Sequence, residues 1–551
     1  MDTQIDDILR DFSPGDELEI RLGYFRDGDR FHSMVTSFMF YCTLKQFSEM
    51  PYKISRQVQT IYMNKSKSVD ERVKTIVTSD EIISILKTVK NVQDFHRMGL
   101  RVALSSEKIL DERADLQTAS RKERTRTTFY DDNLNYKIDL TMDQQDSRVH
   151  YQLEVEFLTA PSPDELKGMI LWLYDFRQNL YYNQKLVASF NQHFSRDPKY
   201  KRADKDMPYN GGAMPKNLKP YLVPFLNEYA ITSKPNGVSY FLYFSGKHGM
   251  YYMNRTEIHL ISQSPTPYDL AESIIIGEAI NDRFYAFDFL IYQGKDIRHL
   301  PSTRRHQMLS IVKEKLDWSN FEILPLFYTG DLFKDLQAAF KYINMEWTPE
   351  TNDGIILKPQ NLAFNNPYVY KWKPLEDVTI DLSIQKINEE YYGFAYDKNG
   401  LVLFEGSSSF PYSGKVDLGS LEVPEYTILE FNYSGGALRA VRVRSDKVKP
   451  NYIGVAVSTW EDIHVPFPKE ELIELSQFVI KQEDTLADIT RKICGFLKIA
   501  RDPRVFSELN EYINTDVVTK LFKGAAVLGA RKKRGNDLVP VLSDYFSKLK
   551  V

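Results

Sequence analysis

A lysine beside a tight turn could attack a phosphorus atom and capture a nucleotide covalently. Lys234 lies in the segment 232–237, directly ahead of the apolar, strand-like run 238–244. An ammonium group cannot attack phosphorus, so such a lysine must lose its proton, which nearby cations and partial burial favour by lowering its pKa. The Asn236-Gly237 turn would let the backbone approach a ligand closely. A lysine near a turn is common. Lys234 is a candidate nucleophile only if other cationic and acidic side chains lie beside it.

Short stretches downstream of Lys234 supply those groups in one order. They are Gly277-Glu278, Phe287-Asp288, Asp353-Gly-Ile-Ile-Leu-Lys358, Lys371-Trp-Lys373 and Arg444-Ser-Asp-Lys447. The lysines at 358, 371 and 373 could bind phosphates and also encourage deprotonation of Lys234. Carboxylates such as Glu278 and Asp353 could hold a divalent cation, Mg²⁺ or Mn²⁺, that offsets the charge developing on a leaving pyrophosphate.

This ordered set resembles the covalent nucleotidyltransferases, and most closely the mRNA guanylyltransferases. Their first motif, K-x-D-G, reads Lys234-Pro-Asn-Gly237 here, so Asn236 replaces an acid, and Ser239 stands where many members carry arginine. The segment 444–451 resembles their last motif, R-x-D-K-x-x-P-N, which differs from the corresponding end of DNA ligases. The resemblance implies GTP as substrate, Lys234 as nucleophile, and GTP contacts from Asn236, Gly237, Glu278, Phe287, Lys358, Lys371, Lys373, Arg444, Asp446 and Lys447.

In that family an aromatic side chain near the third stretch stacks on guanine. Phe287 is the candidate here and Tyr285 the alternative. For each, the competing interpretation is an aromatic side chain in a hydrophobic core.

The N-terminal third carries charges at alternate positions of strand-like segments. Glu17 and Glu19 lie two residues apart, as do Glu154 and Glu156, so each pair shares one face of its strand. Two acidic pairs are costly to bury unless the strands close around a cation. Between them lie the alternating charges Arg72, Arg101, Arg124, Arg126, Lys137 and Asp139. For any single strand taken alone a solvated face is the better interpretation, but together the charges predict a lined tunnel.

Residues 15–160 resemble the triphosphate tunnel metalloenzymes, and the segments 124–129 and 136–141 resemble the viral RNA triphosphatases in particular. The resemblance implies metal binding by Glu17, Glu19, Glu154 and Glu156. It also implies triphosphate binding by Arg72, Arg101, Arg124, Arg126, Lys137 and Asp139.

Composition restricts the protein class. The chain has 551 residues, 42% of them hydrophobic, a net charge of −4, and only two cysteines, Cys42 and Cys494. This charge excludes nucleic-acid binding over the whole surface, so RNA contacts should be local. Two cysteines cannot build a disulfide framework or a cysteine zinc site. The sequence contains no apolar run of 18 residues, so it predicts no membrane span. We therefore expect a soluble, cytoplasmic protein.

Four regions follow from these patterns. We predict a triphosphatase domain at 1–205, a nucleotidyltransferase domain at 215–375, an oligonucleotide-binding-fold (OB-fold) lid at 376–460, and a helical tail at 461–551. A helix capped by Ser162 or Asp164 should close the first region, and the segment 203–214, rich in Pro, Gly and Asn, is a candidate linker. The fold class is α+β, with an antiparallel barrel first.

The sequence favours a bifunctional mRNA-capping enzyme of the kind encoded by large cytoplasmic DNA viruses or cytoplasmic linear plasmids. Its partners would be the 5′ end of nascent mRNA and GTP. A cap methyltransferase domain or subunit, for which the tail could be the junction, and an RNA polymerase are further implied partners. Two alternatives remain. One is an ATP-dependent polynucleotide ligase. The other is a non-catalytic RNA- or polymerase-binding factor derived from a capping enzyme, which is consistent with Asn236 in place of the usual acid.

Overall fold

The computed structural model describes residues 1–500 with short gaps, together with 504, 505, 508 and 509. The gaps are 27–29, 65–70, 79–80, 111–118, 146–147, 203, 210–211, 213, 247–248, 265–266, 317, 365, 399, 445–446, 448 and 482. The predicted site residue Asp446 and the end of the predicted tail, 510–551, therefore lie outside the described residues.

The N-terminal part is a closed barrel of eight antiparallel strands, as predicted. Its strands follow one another around the barrel in the order β1-β10-β9-β8-β4-β5-β6-β7, and β2 and β3 form a separate hairpin. The elements are α1 (Asp2–Arg10), β1 (Asp16–Leu22), β2 (Tyr24–Arg26), β3 (Arg30–His32), α2 (Ser37–Ser48), β4 (Lys53–Met63), β5 (Glu71–Val77), β6 (Ile82–Phe95), β7 (Leu100–Leu110), β8 (Ser120–Tyr130), β9 (Tyr136–Gln145), β10 (Arg148–Phe157) and α3 (Pro163–Gln192).

The barrel wall is apolar outside and polar inside. Because side chains alternate along a strand, β1 directs Leu18 and Ile20 outward, into a core that it shares with α1, α2 and the first half of α3. Glu17 and Glu19 occupy the opposite, inner face. The same alternation on β10 places Leu153 in the outer core. The charged residues predicted to line a tunnel thus have a closed interior to line.

Helix α3 joins the barrel to the next domain. Ser162 caps it, accepting a hydrogen bond from the Glu165 N–H at 3.3 Å while the Glu165 carboxylate accepts one from the Ser162 N–H at 2.6 Å. Its second half packs on the following sheet, with Phe190 against Phe241. Asn191 bonds the backbone of 205–209, so that part of the candidate linker is held against α3.

The middle of the chain contains two β-sheets. The smaller has the order β11-β21-β20-β12, the larger β15-β14-β13-β16-β17-β18, with β19 beside β17. The elements are β11 (Lys216–Asn217), β12 (Tyr229–Pro235), β13 (Val238–Phe244), β14 (Met250–Met253), β15 (Ile258–Ser262), β16 (Ser273–Ile280), β17 (Arg283–Tyr292), β18 (Lys295–Asp296), α4 (Ser302–Gln307), α5 (Leu309–Lys315), β19 (Phe321–Ile323), α6 (Leu332–Glu346), β20 (Asn352–Pro359) and β21 (Tyr370–Trp372).

A six-stranded sheet follows, where the OB-fold lid was predicted, in the order β24-β23-β22-β26-β27-β25. Helix α7 packs on it through Ala456 and Trp460. Helices α8 and α9 instead return to the core of the smaller middle sheet through Leu472 and Phe496. The elements are β22 (Ile380–Ile387), β23 (Glu390–Asp397), β24 (Gly400–Leu403), β25 (Val416–Asp417), β26 (Ile428–Ser434), β27 (Ala437–Val443), α7 (Ile453–His464), α8 (Lys469–Leu475) and α9 (Leu486–Ile499).

The start of the predicted helical tail therefore completes the middle domain's core.

Both cysteines are free thiols. Within the described part of the chain, none of the helices has the length and apolar character that a membrane span requires.

Candidate active sites

Lys234 lies at the end of β12, where the register of β12 against β20 shifts between Ser233 and Pro235. Its Nζ donates to Oδ2 of Asp353 at 2.7 Å, and Nζ of Lys373 lies 2.6 Å from the same oxygen. The Lys234 side chain is 20% exposed, so a ligand can reach it. Three residues far apart in sequence thus meet at one carboxylate oxygen.

Gly354 makes this meeting geometrically feasible. Its φ is +106°, and a Cβ atom built there would lie 2.2 Å from the carbonyl oxygen of Trp372. Any side chain would force β20 away from β21 and separate Asp353 from Lys373. The glycine of the Asp353-Gly354 pair is therefore required by strand packing at the site.

Gly237 also allows two strands to approach closely, because it packs against the backbone of β16. A Cβ atom at Gly237 would lie 2.5 Å from the Ala279 carbonyl oxygen on β16, which accounts for a glycine here without a ligand. The Gly237 N–H donates to Oε2 of Glu278 at 3.1 Å, and the Asn236 side chain donates to the Glu350 carbonyl at 3.2 Å. The two sheets consequently meet beside Lys234.

The site favours an anion. Burial, together with the charges of Lys373 and Lys234, lowers the pKa of Lys371 to about 8. Burial raises the pKa of Glu278 to about 7, although Lys234 opposes the rise. Burial also disfavours ionisation of Asp353, but Lys234 and Lys373 keep the pKa of that carboxyl below its ordinary value. Bound phosphates would relieve the mutual repulsion of the lysines.

The six-stranded sheet and the segment that follows it border the same site. Lys234, Asp353, Lys371, Arg444 and Lys447 all line one cavity of about 1750 Å³. Arg444 Nη1 donates to Oδ1 of Asp381 at 2.9 Å, and Lys447 pairs with the other oxygen of that carboxylate. The charge of Lys447 also contributes to the lowered pKa of Lys371. The last predicted motif is therefore close to the first.

Two predicted contacts lie apart from this cavity. Lys358 is buried, which lowers its pKa, and its Nζ donates to the Phe287 carbonyl at 3.0 Å. Neither Lys358 nor Phe287 belongs to the cavity lining, and Tyr285 packs against the Trp347 ring at 4.8 Å. The prediction that Lys358 helps to line the phosphate site finds no support in this geometry, because β20 directs Lys358 toward β17.

The barrel places the four predicted glutamates on adjacent strands. Cα partners across β1 and β10 are Glu19 with Glu156 and Arg21 with Glu154. Lys87 pairs with Glu17 and, at 2.8 Å, with Glu19, while Arg21 Nε lies 3.1 Å from Glu154. Lys137 pairs with Glu156 at 2.9 Å.

Basic side chains lie among these acids. No three acidic, histidine or cysteine side chains of the described residues form a ready-made metal cluster. The donor chemistry nevertheless fits a hard cation. Burial and the neighbouring Glu19 carboxylate together raise the pKa of Glu17 to about 8, while Arg21 and Lys87 hold the pKa of Glu19 below its usual range against the effect of burial. A cation between the two carboxylates would relieve their repulsion.

Some of the predicted triphosphate ligands pair with acids inside the barrel, and others lie at its end or on its surface. Arg124 makes paired bonds of 2.7 and 2.8 Å to Asp143, and Arg126 lies 3.5 Å from Asp139. Arg101 instead makes paired bonds to Asp94, 2.7 and 2.8 Å long, at the barrel end. Arg72 is exposed.

Sequence reasoning missed several charged residues of the interior as site residues. Lys87 contacts two of the predicted metal ligands, and Lys122 shares Asp143 with Arg124. Lys87 is the one charged residue within the run 82–89 of β6, a pattern that could have indicated an inward-facing charge on an otherwise uncharged stretch.

We expect Lys371→Met to stabilise the protein. The lowered pKa of Lys371 means that the folded state pays an electrostatic penalty for its charge below about pH 8, on the order of 1–3 kcal/mol. The gain in free energy of unfolding should be full at pH 7 and fade toward pH 10.5, where the unfolded lysine also loses its proton. Urea titrations at several pH values measure it. No gain in the free energy of unfolding at pH 7 would contradict the crowding of cations.

No family model matches the chain. The mRNA-capping enzymes of two African swine fever virus isolates, Pretoriuskop and Wart80, are 26% identical to it over 176 residues, which is 29% of this chain and 19% of the viral enzyme. The enzyme of the Kenyan isolate is 27% identical over 129 residues, 22% of this chain and 14% of the viral enzyme. The matching segment thus spans a fifth or less of these relatives' length.

Among solved structures, an S. pombe RNA triphosphatase covers 33% of this chain and 89% of its own length, with 16% identity and a TM-score of 0.24. A DNA ligase of the Lig E type covers 43% of this chain and all of its own length, with 15% identity and a TM-score of 0.23.

Proposed function

We propose that this chain is a bifunctional mRNA-capping enzyme. The barrel would release the γ-phosphate of 5′-triphosphorylated RNA, and the middle domain with its lid would transfer GMP from GTP to the resulting diphosphate end. The observation that carries the proposal is the convergence of Lys234, Asp353 and Lys373 in a cavity shared with Arg444 and Lys447. The partial similarity to the African swine fever virus mRNA-capping enzyme supports it.

In the transfer step Lys234 Nζ would attack the α-phosphorus of GTP. A phosphorus–nitrogen bond forms, the bond from the α-phosphorus to the bridging oxygen breaks, and pyrophosphate leaves. The 5′-diphosphate oxygen of RNA would then attack the same phosphorus, breaking the phosphorus–nitrogen bond and freeing the lysine. Asp353 would hold Lys234 in position, and Lys371 and Lys373 would balance the phosphate charge.

Mg²⁺ or Mn²⁺ would be the cofactor at both sites. In the barrel Glu17, Glu19, Glu154 and Glu156 would hold it, and in the middle domain Asp353 would do so. When bound, the ion supplies positive charge that stabilises the phosphate oxygens during transfer.

Incubating the protein with radiolabelled GTP or ATP tests the proposed transfer. GTP should leave an acid-labile, base-stable label on the protein. Labelling from ATP alone would indicate a polynucleotide ligase, and no labelling from either nucleotide would indicate a non-catalytic relative.

Replacing Lys447 should slow formation of the lysine–GMP adduct and spare the second step. In Lys447→Ala the lid loses a cation beside Lys371, so β- and γ-phosphates would be poorly aligned opposite Lys234. Once pyrophosphate has left, that contact has no ligand. We expect a loss of about 10²-fold or more in the first step, measured by single-turnover kinetics of both steps.

Lys449→Ala is the matched control. Lys449 belongs to the same motif but contacts Tyr396, at 2.6 Å to its hydroxyl, and is outside the cavity lining. An unchanged first step in Lys447→Ala would mean that this lysine is an exposed lid residue. Equal losses in both steps would indicate a structural role.

A further inference from the structure

The β2–β3 hairpin is an excursion from the barrel wall at one end of the interior. Strand β1 pairs with β10 as far as Arg21 opposite Glu154. The chain then leaves the wall, forms the hairpin, and returns at Val35, which bridges to Tyr151 on the same strand β10. The Gly23 N–H donates to the Gly99 carbonyl at 2.9 Å, so the hairpin begins beside the turn between β6 and β7.

The hairpin carries aromatic rings on both faces. Tyr24 and His32 are cross-strand partners whose rings are nearly parallel, 12° apart, with centroids at 5.3 Å. The Arg26 guanidinium lies over the Tyr24 ring at 5.1 Å. On the other face Phe25 contacts Phe31, with centroids at 5.1 Å. These rings are only half-buried, and Arg26 is exposed.

The second face of the hairpin is joined to the charged interior. The Arg101 guanidinium lies over the Phe31 ring at 4.8 Å, and Arg101 is the Cα partner of Arg21 on β1. The amide of Gln152, which follows Tyr151 on β10, donates to the Ser33 carbonyl at 3.3 Å. The hairpin therefore lies at one end of the barrel, with its Phe25–Phe31 face toward Arg101 and its Tyr24–His32 face on the opposite side.

We propose that this hairpin binds the first nucleotides of the RNA while the 5′-triphosphate enters the barrel. This inference rests on the proposed triphosphatase activity. A triphosphate alone needs only charges, whereas single-stranded RNA ends are recognised by stacking on aromatic rings and guanidinium planes. The column of His32, Tyr24 and Arg26 offers both kinds of surface. Arg26 and Arg30 add positive charge for the RNA backbone. The tip, 27–29, lies outside the described residues and is no part of this site.

The test compares RNA with a substrate that has no base. For Tyr24→Ala we expect KM for a short 5′-triphosphate RNA to rise by about tenfold, the loss of roughly one stacked base, while hydrolysis of inorganic tripolyphosphate stays at the wild-type rate. Tyr24→Trp, which keeps a stacking surface, should retain the wild-type KM. Tyr181→Ala is the matched control, because Tyr181 is an exposed tyrosine on α3 that contacts Lys185.

A binding measurement separates this proposal from the activity on which it rests. An RNA 5′-triphosphate with 2-aminopurine at its first position should lose fluorescence on binding in EDTA, where hydrolysis is prevented, and lose less with Tyr24→Ala. If the wild-type protein hydrolyses neither substrate, the triphosphatase proposal fails, and the fluorescence alone decides on the hairpin. The hairpin proposal would be overturned if Tyr24→Ala left both the KM for RNA and the fluorescence quenching unchanged. It would also be overturned if Tyr24→Ala reduced hydrolysis of the RNA and of tripolyphosphate equally.

Discussion

Lys234→Ala should abolish covalent labelling of the protein by GTP, with a loss of at least about 10³-fold. Nζ of Lys234 is the nucleophile in the proposed reaction, and alanine leaves no atom that could form the phosphorus–nitrogen bond. We expect neither Lys371 nor Lys373 to substitute, because Lys371 lies on β21 and Lys373 directly follows it, whereas Lys234 lies on β12. The adduct is measured by gel autoradiography after incubation with labelled GTP and Mg²⁺ or Mn²⁺.

Two variants sharpen this experiment. Lys234→Arg keeps the positive charge and the pairing with Asp353 but cannot supply a neutral amine, so it should also fail to form the adduct. Lys216→Ala removes an exposed lysine that lines the same cavity and should label normally. γ-Phosphate release from triphosphate RNA should persist in all three proteins. Labelling of Lys234→Ala at the wild-type level would refute the assignment.

Glu19→Gln and Glu154→Gln should each reduce γ-phosphate release by about 10²–10⁴-fold. Each change removes one negative charge while preserving side-chain size. Glu19 contacts Arg21 and Lys87 in the barrel interior, and its charge would help to hold both the cation and these bases in register. Transfer of GMP to diphosphate RNA should continue, because the second site lies in another domain. Phosphate release and cap formation are measured on the same preparations.

Glu123→Gln provides the control on the barrel. Glu123 lies on β8 but pairs with Arg121 and is 46% exposed, so its loss should leave phosphate release unchanged. Normal phosphate release in both Glu19→Gln and Glu154→Gln would contradict the tunnel assignment. Loss of phosphate release together with GMP transfer would point to misfolding, which a thermal unfolding curve would show.

The barrel was predictable because the information was local. Alternating charges such as Glu17 and Glu19 mark a strand with one polar face, and repeated strands of this kind predict an antiparallel barrel. The Ser162 cap of α3 was also visible, since a capping serine precedes proline and acids at the helix start. The linker was less predictable: Asn191 holds 205–209 through hydrogen bonds that composition does not reveal.

The sites were predicted only in part. The order of short motifs identified Lys234, Asp353 and Lys373, and the structure brings them together. Spacing alone could not show that Gly237 is required by contact with Ala279, nor that Arg101 pairs with Asp94 at the barrel end.

By itself the sequence determined the alternation of inner and outer residues, the order of the chemical groups, and the α+β class, because these depend on neighbours within a few positions. Only the tertiary structure decided which charges meet. Lys234 and Asp353 are 119 residues apart, and Lys87 on β6 reaches Glu17 and Glu19 on β1 over the intervening strand β7. Such pairings depend on strand register and barrel closure, which arise from the packing of the whole domain.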